Sequence, residues 1–240
     1  MNAKIHKSTS KIRCFPRPET IVPVNDHWFN QWQKQFNTEP LEIGSVTEEA
    51  LARLLPTLIC GEQSAVFVFA NERDRLSTSA INESFKDLAN IESDEAMHEK
   101  ALQQLASRLM QPKDLHQIKR RAQRFYSGLN KQISIAQHFA TICQLDACVG
   151  KIMNAMSQSN LGPDNPISIL FEQIKKDEAR HVVISRKHAL RLGASRDDIA
   201  ILKLVIGPKV IELLSPMQES FEALGVDFDR LIKTLRGSEQ

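Results

Sequence analysis

Four stretches of this chain place apolar residues at alternating spacings of three and four, the pattern of a helix with one core-facing stripe, and each stripe is broken near its middle by ionisable groups. The first reads Leu51, Leu55, Leu58, Glu62, Ala65, Phe69. The second reads Phe85, Leu88, Ile91, Glu95, His98, Leu102, Leu105, Leu109, and the third Ile135, Phe139, Ile142, Asp146, Val149, Met153, Met156. The fourth is Ile167, Phe171, Ile174, Glu178, His181, Ser185, His188, Leu192. Leu or Ile is expected at the positions that Glu62, Glu95, His98, Asp146, Glu178 and His181 occupy. Taking one unpaired ion out of water costs several kcal/mol, while a whole domain is stable by only about 5–15 kcal/mol. A fold that faces four carboxylates inward therefore needs cations among them.

The stripes predict an all-α protein. One helix opens at Ser45, with Glu48 placed for a capping box, and runs to about residue 71 with Pro56 as a candidate kink. A second covers 79–110, ended by Pro112, and a third covers 130–158, closed by Asn160-Leu161-Gly162-Pro163. Asn165 and Pro166 make an N-cap and first helical residue for a fourth, which ends at Gly193. The first and second helices are joined by a short link, as are the third and fourth, which predicts antiparallel neighbours; about 20 residues separate the second from the third, enough for one long crossover. The expected organisation is an irregular N-terminal arm over 1–44, an antiparallel four-helix bundle with one crossover over 45–193, and accessory helices over 194–240. The arm carries one short helix near 26–36, with Trp28, Phe29, Trp32 and Phe36 on a side that must dock on something. The C-terminal part is read as a helix from Ser195 past Pro208 to Leu224, then a short one over 227–235.

Composition narrows the class. With 240 residues, 42% of them apolar, and only 9 glycines and 10 prolines, the chain has material for a large core and none of the bias of low-complexity sequence. The net charge of +2 is small, and nucleic acid is not expected as a partner. No membrane span is expected, since even 199–214 is interrupted by Lys203, Pro208, Lys209 and Glu212. Cys14, Cys60, Cys143 and Cys148 form no CxxC pair and follow no signal-peptide core, so neither a disulfide framework nor a zinc ribbon is expected, and the cytoplasm is the default location. Five bases and no acid before residue 19 read as a basic tail, the two prolines there opposing the amphipathic helix of a transit peptide.

The ionisable groups repeat. Glu62 and Glu95 stand 33 residues apart, Asp146 and Glu178 stand 32 apart, and Asp94-Glu95-Ala96-Met97-His98 matches Asp177-Glu178-Ala179-Arg180-His181 at four positions of five. Glu and His three residues apart project from one helix face, and helices 8–10 Å apart let four such faces meet. Two divalent cations would balance four carboxylates, with one imidazole for each. Nitrogen and oxygen ligands without thiolate suit iron or manganese better than calcium, with zinc left open.

These residues resemble those of the ferritin-like di-iron carboxylate superfamily, whose pattern is Glu, Glu-x-x-His, Glu, Glu-x-x-His on four helices. The resemblance covers 45–193. It implies two Fe ions, with Mn or a mixed Mn/Fe pair as alternatives. It further implies that Glu95 and Glu178 bridge them, that Glu62 and Asp146 are terminal ligands, and that His98 and His181 bind one ion each. Asp94 and Asp177 are similar to the aspartates that hydrogen-bond ligating histidines in bacterial multicomponent monooxygenases. Asp146 departs from the pattern, being one methylene shorter than the usual Glu. What the resemblance implies about function is a non-haem di-iron oxidase or oxygenase that uses O2 on a small organic substrate, draws electrons from an external donor, and works as a monomer or homodimer. A ferritin- or bacterioferritin-like iron protein uses the same six ligands, and a metal-free helical interaction module is the third reading.

Other residues have plainer explanations. His188 lies about 10.5 Å along the helix from His181, which makes it a core or pocket residue, and His138 falls beside the stripe. Tyr126 is read as packing. Lys119, Arg120, Arg121 and Arg124 read first as a solvated helix face and second as a dock for an acidic carrier protein or RNA.

Overall fold

The computed structural model describes residues 11–16, 27–38, 40–77, 82–129 and 134–237, and among these it contains nine α-helices, one 3-10 turn and no strand. The chain divides into two compact units, Met1–Arg124 and Phe125–Gln240.

The first unit holds α1 (His27–Thr38), α2 (Ser45–Ser77), α3 (Asn82–Ala106) and the start of α4 (Leu115–Leu129), inside which the boundary falls. α2 and α3 run antiparallel: Arg73 pairs with Glu92, and Gln63, ten residues earlier on α2, pairs with Glu99, seven later on α3. Their stripes face inward as the spacing requires. Leu51, Leu55, Phe69, Leu88, Ile91, Leu102, Leu105 and Leu109 are all buried, and Ala65 is half-buried. The side chain of Phe85 lies outside the described residues, as do the expected helix starts at 79 and 130.

α2 runs through Pro56 to Ser77, beyond the expected end near 71. It begins at Ser45 itself, and the Glu48 carboxylate accepts a hydrogen bond from the Met110 N–H rather than closing on the helix start. The aromatic side of α1 docks on α3. Phe29, Trp32 and Phe36 are buried, Lys100 Nζ sits 4.6 Å above the Phe29 ring, and the Arg108 guanidinium lies 4.5 Å above Phe36. The connector after α3 contains α4, which the sequence reading left unassigned; it buries Ile118, Ala122, Tyr126 and Leu129 at spacings of three and four. Its Arg120, Arg121 and Arg124 are exposed and Lys119 half-buried, a solvated basic face.

Among the described residues one helix is long and apolar enough to cross a membrane by length and composition, α2 from Ser45 to Arg75, a run the sequence reading does not single out. With 78% of its apolar window buried inside the protein, it is a core helix.

The second unit contains α5 (Ile135–Ser157), α6 (Pro166–Arg191), α7 (Arg196–Leu214), a 3-10 turn (Ser215–Met217), α8 (Gln218–Ala223) and α9 (Phe228–Arg236). Side-chain caps set the starts: Ser134 accepts from Gln137 N–H, Asn165 from Ile167 N–H with Pro166 behind it, and Ser195 with Asp198 forms a reciprocal capping box. α5 and α6 are antiparallel, because Ser157 meets Glu172, Gly150 meets Glu178, and Asp146 meets Ser185. Phe139, Met153, Met156, Ile167, Phe171 and Ile174 on the two helices are all buried. Leu192, expected on the stripe, is exposed at the helix end, and Ile135 and Val149 are half-buried.

The segment expected to run unbroken to Leu224 is interrupted at Ser215–Met217, where Pro216 offers no N–H and disfavours helix at the residue before it. α7 approaches α9 closely at Gly207, where a Cβ would lie 2.5 Å from the Leu235 carbonyl oxygen.

Contrary to the expectation of no disulfide, Cys14 and Cys60 are bonded, 46 residues apart in sequence. No local motif announces such a pair; residues 11–16 bring it together by folding back on α2. Cys143 and Cys148 are free and buried, and burial pushes both thiols up to about 11. A reducing compartment was inferred from the absence of a disulfide, and this bond removes that ground.

Candidate metal centre

In the first unit α2 contributes Glu62 and α3 contributes Glu95 and His98, at 4%, 2% and 0% exposure. One ligand atom from each lies within 4.8 Å of the others. His98 Nδ1 faces Glu62 Oε2 at 3.4 Å and Glu95 Oε2 at 3.8 Å. The helical register accounts for this meeting: Glu95 and His98 are three residues apart on α3, and the antiparallel pairing brings Glu62 opposite them.

The second unit builds the same motif again. Glu178 and His181 project from one face of α6, with His181 Nδ1 3.9 Å from Glu178 Oε2, against 3.8 Å for the matching pair on α3. Both are buried, and Asp146 of α5 is buried with them, 3.5 Å from the Ser185 hydroxyl. α5 passes close to α6 here, since a Cβ on Gly150 would be in ordinary van der Waals contact with the Glu178 Cβ at 3.5 Å. All six residues picked out by the sequence are therefore buried on their own helix pairs, three in each unit.

His98 lies within hydrogen-bonding reach of Glu62, and the two nitrogen-to-oxygen distances inside the Glu-x-x-His pairs are ones an ion could span. A donor and acceptor 3.8–3.9 Å apart are beyond hydrogen-bonding distance. An ion about 2.1 Å from two ligand atoms holds them ~3.0 Å apart at a right angle and ~4.2 Å apart when they lie opposite. The observed 3.4, 3.8 and 3.9 Å fall inside that range. Two carboxylates and an imidazole in one buried group form a donor set that could hold a divalent metal. Burial, and then the neighbouring Glu95 carboxylate, push Glu62 up to about 8, while His98 pulls the other way.

The surroundings hold these groups in place. The Trp28 ring of α1 lies 6.2 Å from the His98 ring. One turn before Glu95, Glu92 makes a buried 2.6 Å ion pair with Arg73; burial pushes its carboxyl up and Arg73 opposes the shift. Asp177, next to Glu178, is buried and pairs with Arg180 at 2.9 Å. His188 is buried with its ring 5.4 Å from Phe139, the core role expected for it, and Tyr126 packs edge-on to Phe125.

Sequence reasoning missed a polar network beside Glu62. Gln63 Nε2 donates to Glu99 Oε1 and to the Ile12 carbonyl, and its Oε1 accepts from Cys14 and Phe15 N–H. The one signal available was position, since Cys60 and Gln63 flank Glu62 and Glu99 follows His98. Neither a family model, nor a curated protein, nor a solved structure matches the chain. The resemblance to di-iron carboxylate proteins therefore stands on these residues and their geometry.

Proposed function

We propose that the protein is an O2-dependent non-haem di-iron oxidase or oxygenase. In this reading the helix pairs α2–α3 and α5–α6 form a ferritin-like four-helix bundle over 45–193. Glu178 joins Glu62, Glu95 and His98 as a ligand, and Asp146 and His181 complete a centre for two Fe ions, with Mn or a mixed pair as alternatives. The observation that carries the reading is the repetition: two separate helix pairs each bury a Glu-x-x-His with nearly the same nitrogen-to-oxygen distance and a further carboxylate from the neighbouring helix. One such group is a buried polar cluster. Two of them bring four carboxylates and two imidazoles, the donor count of a two-metal site.

When bound, the metal pair supplies redox chemistry toward O2. The chain's own part follows from the side chains. Glu62, Glu95, Asp146 and Glu178 would be the carboxylates that hold the metals, and His98 and His181, whose Nδ1 atoms face their own helix's carboxylate, would be the nitrogen ligands. By the resemblance, Asp94 and Asp177 would be the carboxylates that orient the imidazoles, Asp177 while paired with Arg180. Asp146, one methylene shorter than the usual Glu, would reach only one metal, or reach it through water. Burial of all six excludes water and strengthens each charge interaction. Electrons come from an external donor, since no flavin or nicotinamide motif is present in the sequence. In this reading the protein works as a monomer or homodimer.

The test is oxygen uptake by the reduced, iron-loaded protein, offered fatty aldehydes, arylamines and carrier-bound acyl groups in turn. The reading predicts substrate-dependent uptake with an oxidised product and a chain that binds about two irons. A very large assembly taking up many irons per chain, with no product from any substrate, would turn the reading to iron storage.

A further inference from the structure

Residues 11–16 have neither helix nor strand and lie across α2 and α3 as a strap. The strap is fastened at almost every residue. Ile12 N–H donates to Gln103 Oε1 at 3.0 Å, and the Ile12 carbonyl accepts from Gln63 at 2.8 Å and from Gln103. Cys14 and Phe15 N–H both donate to Gln63 Oε1, at 2.7 and 3.2 Å, and Gln123 donates to the Cys14 carbonyl. Arg13 pairs with Glu99 at 3.0 Å. The one covalent fastening is the Cys14–Cys60 disulfide.

The anchors are the neighbours of the candidate ligands. Cys60 and Gln63 bracket Glu62 on α2, and Glu99 follows His98 on α3. Gln63 and Glu99 are also bonded to each other at 2.9 Å, so the strap clamps α2 to α3 at the level where Glu62, Glu95 and His98 meet. A strap of six residues held by side-chain amides is the kind of element that opens locally before the helices beneath it do.

We propose that the Cys14–Cys60 bond is a thiol-exchangeable latch, whose reduction by a dithiol releases the strap and loosens the Glu62–Glu95–His98 group so that it holds a divalent ion less tightly. The exchange balances as follows. A thiolate of the dithiol attacks one sulfur, the S–S bond breaks, and a mixed disulfide forms. The second thiol of the reagent then closes its own disulfide, the two electrons pass to the cysteines, and two protons end on Cys14 and Cys60. Both cysteines are buried, Cys14 at 9% and Cys60 at 0% exposure, so the bond becomes open to attack when the strap lifts, at the Cys14 sulfur carried by the strap, with Cys60 leaving. The ligand half of the inference rests on the metal reading; the strap half does not.

The test uses the full chain in three forms: oxidised, reduced with dithiothreitol and desalted under argon, and the Cys14→Ser variant. Hydrogen–deuterium exchange reads α2 and α3 around Gln63 and Glu99, with α5 and α6 as the internal reference, and Mn2+ alone is titrated into each form. The latch predicts at least tenfold faster exchange around Gln63 in the reduced and variant forms, no change in α5 and α6, and at least tenfold weaker Mn2+ binding. Unchanged exchange around Gln63 would overturn it, as would equal acceleration in α5 and α6, which is global unfolding. Faster local exchange with equal Mn2+ affinity would overturn the latch's hold on the site. Faster local exchange with no Mn2+ bound by any form would support the latch while defeating the metal reading.

Discussion

At the scale of single residues, Glu62 makes the sharpest statement. In the metal-free protein its carboxyl is pushed up to about 8, while in an unfolded chain it titrates near its ordinary 4.5. Between those values the folded state binds more protons than the unfolded one, so stability falls as pH rises through that window and the full cost is present above about 8. Metal-free protein is therefore expected to melt at lower temperature at pH 8 than at pH 5 on this group's account. A bound cation reverses the slope, because protons then compete with it. Glu62→Gln removes the ionisation while keeping the shape. It should raise the melting temperature of metal-free protein at pH 8 by roughly 2–10 °C, for about 1–3 kcal/mol, and flatten its pH dependence, while weakening metal binding. Melting curves at pH 5 and pH 8 for both proteins check this. The residues behind the prediction were legible in the sequence, because a charged side chain on an apolar stripe stands out against the helical period. The network around Gln63 was not, because an amide at a boundary position carries no such contrast.

At the scale of elements, local chemistry was readable and long-range chemistry was not. Asn165 and Ser195, read as helix starts from the sequence, cap helices because their side chains reach N–H groups two or three residues ahead; Ser134 and Asp227 obey the same rule but were not read as caps. α4 escaped the reading because its basic run masked a modest apolar stripe, and the break at Ser215–Met217 escaped because Pro216 was not weighed. Two ties between elements were beyond any local rule: the Cys14–Cys60 bond and the buried Arg73–Glu92 pair that links α2 to α3. The second has a measurable consequence. Arg73→Ala leaves the Glu92 carboxylate buried without its cation and should cost about 3–5 kcal/mol, lowering the melting temperature by roughly 6–20 °C. Pairing it with Glu92→Leu should recover most of the loss, and a double-mutant cycle on thermal unfolding measures how much.

At the scale of the whole molecule, the account is one of duplication. Each unit contains one antiparallel helix pair with ionisable residues buried near the middle of its stripes. The all-helical class followed from periodicity, and the two halves of the candidate centre followed from the repeated Asp-Glu-Ala-x-His. The substrate did not follow, because the residues that would shape a pocket are ordinary apolar ones whose role depends on what they face. The most direct measurement is metal content. Protein loaded anaerobically with Fe2+ and freed of excess should hold close to two irons per chain, and the Glu95→Ala, Glu178→Ala variant, folded by circular dichroism, should hold almost none. Equal iron in the two proteins, or none in either, would contradict the claim that these buried carboxylates exist to hold cations.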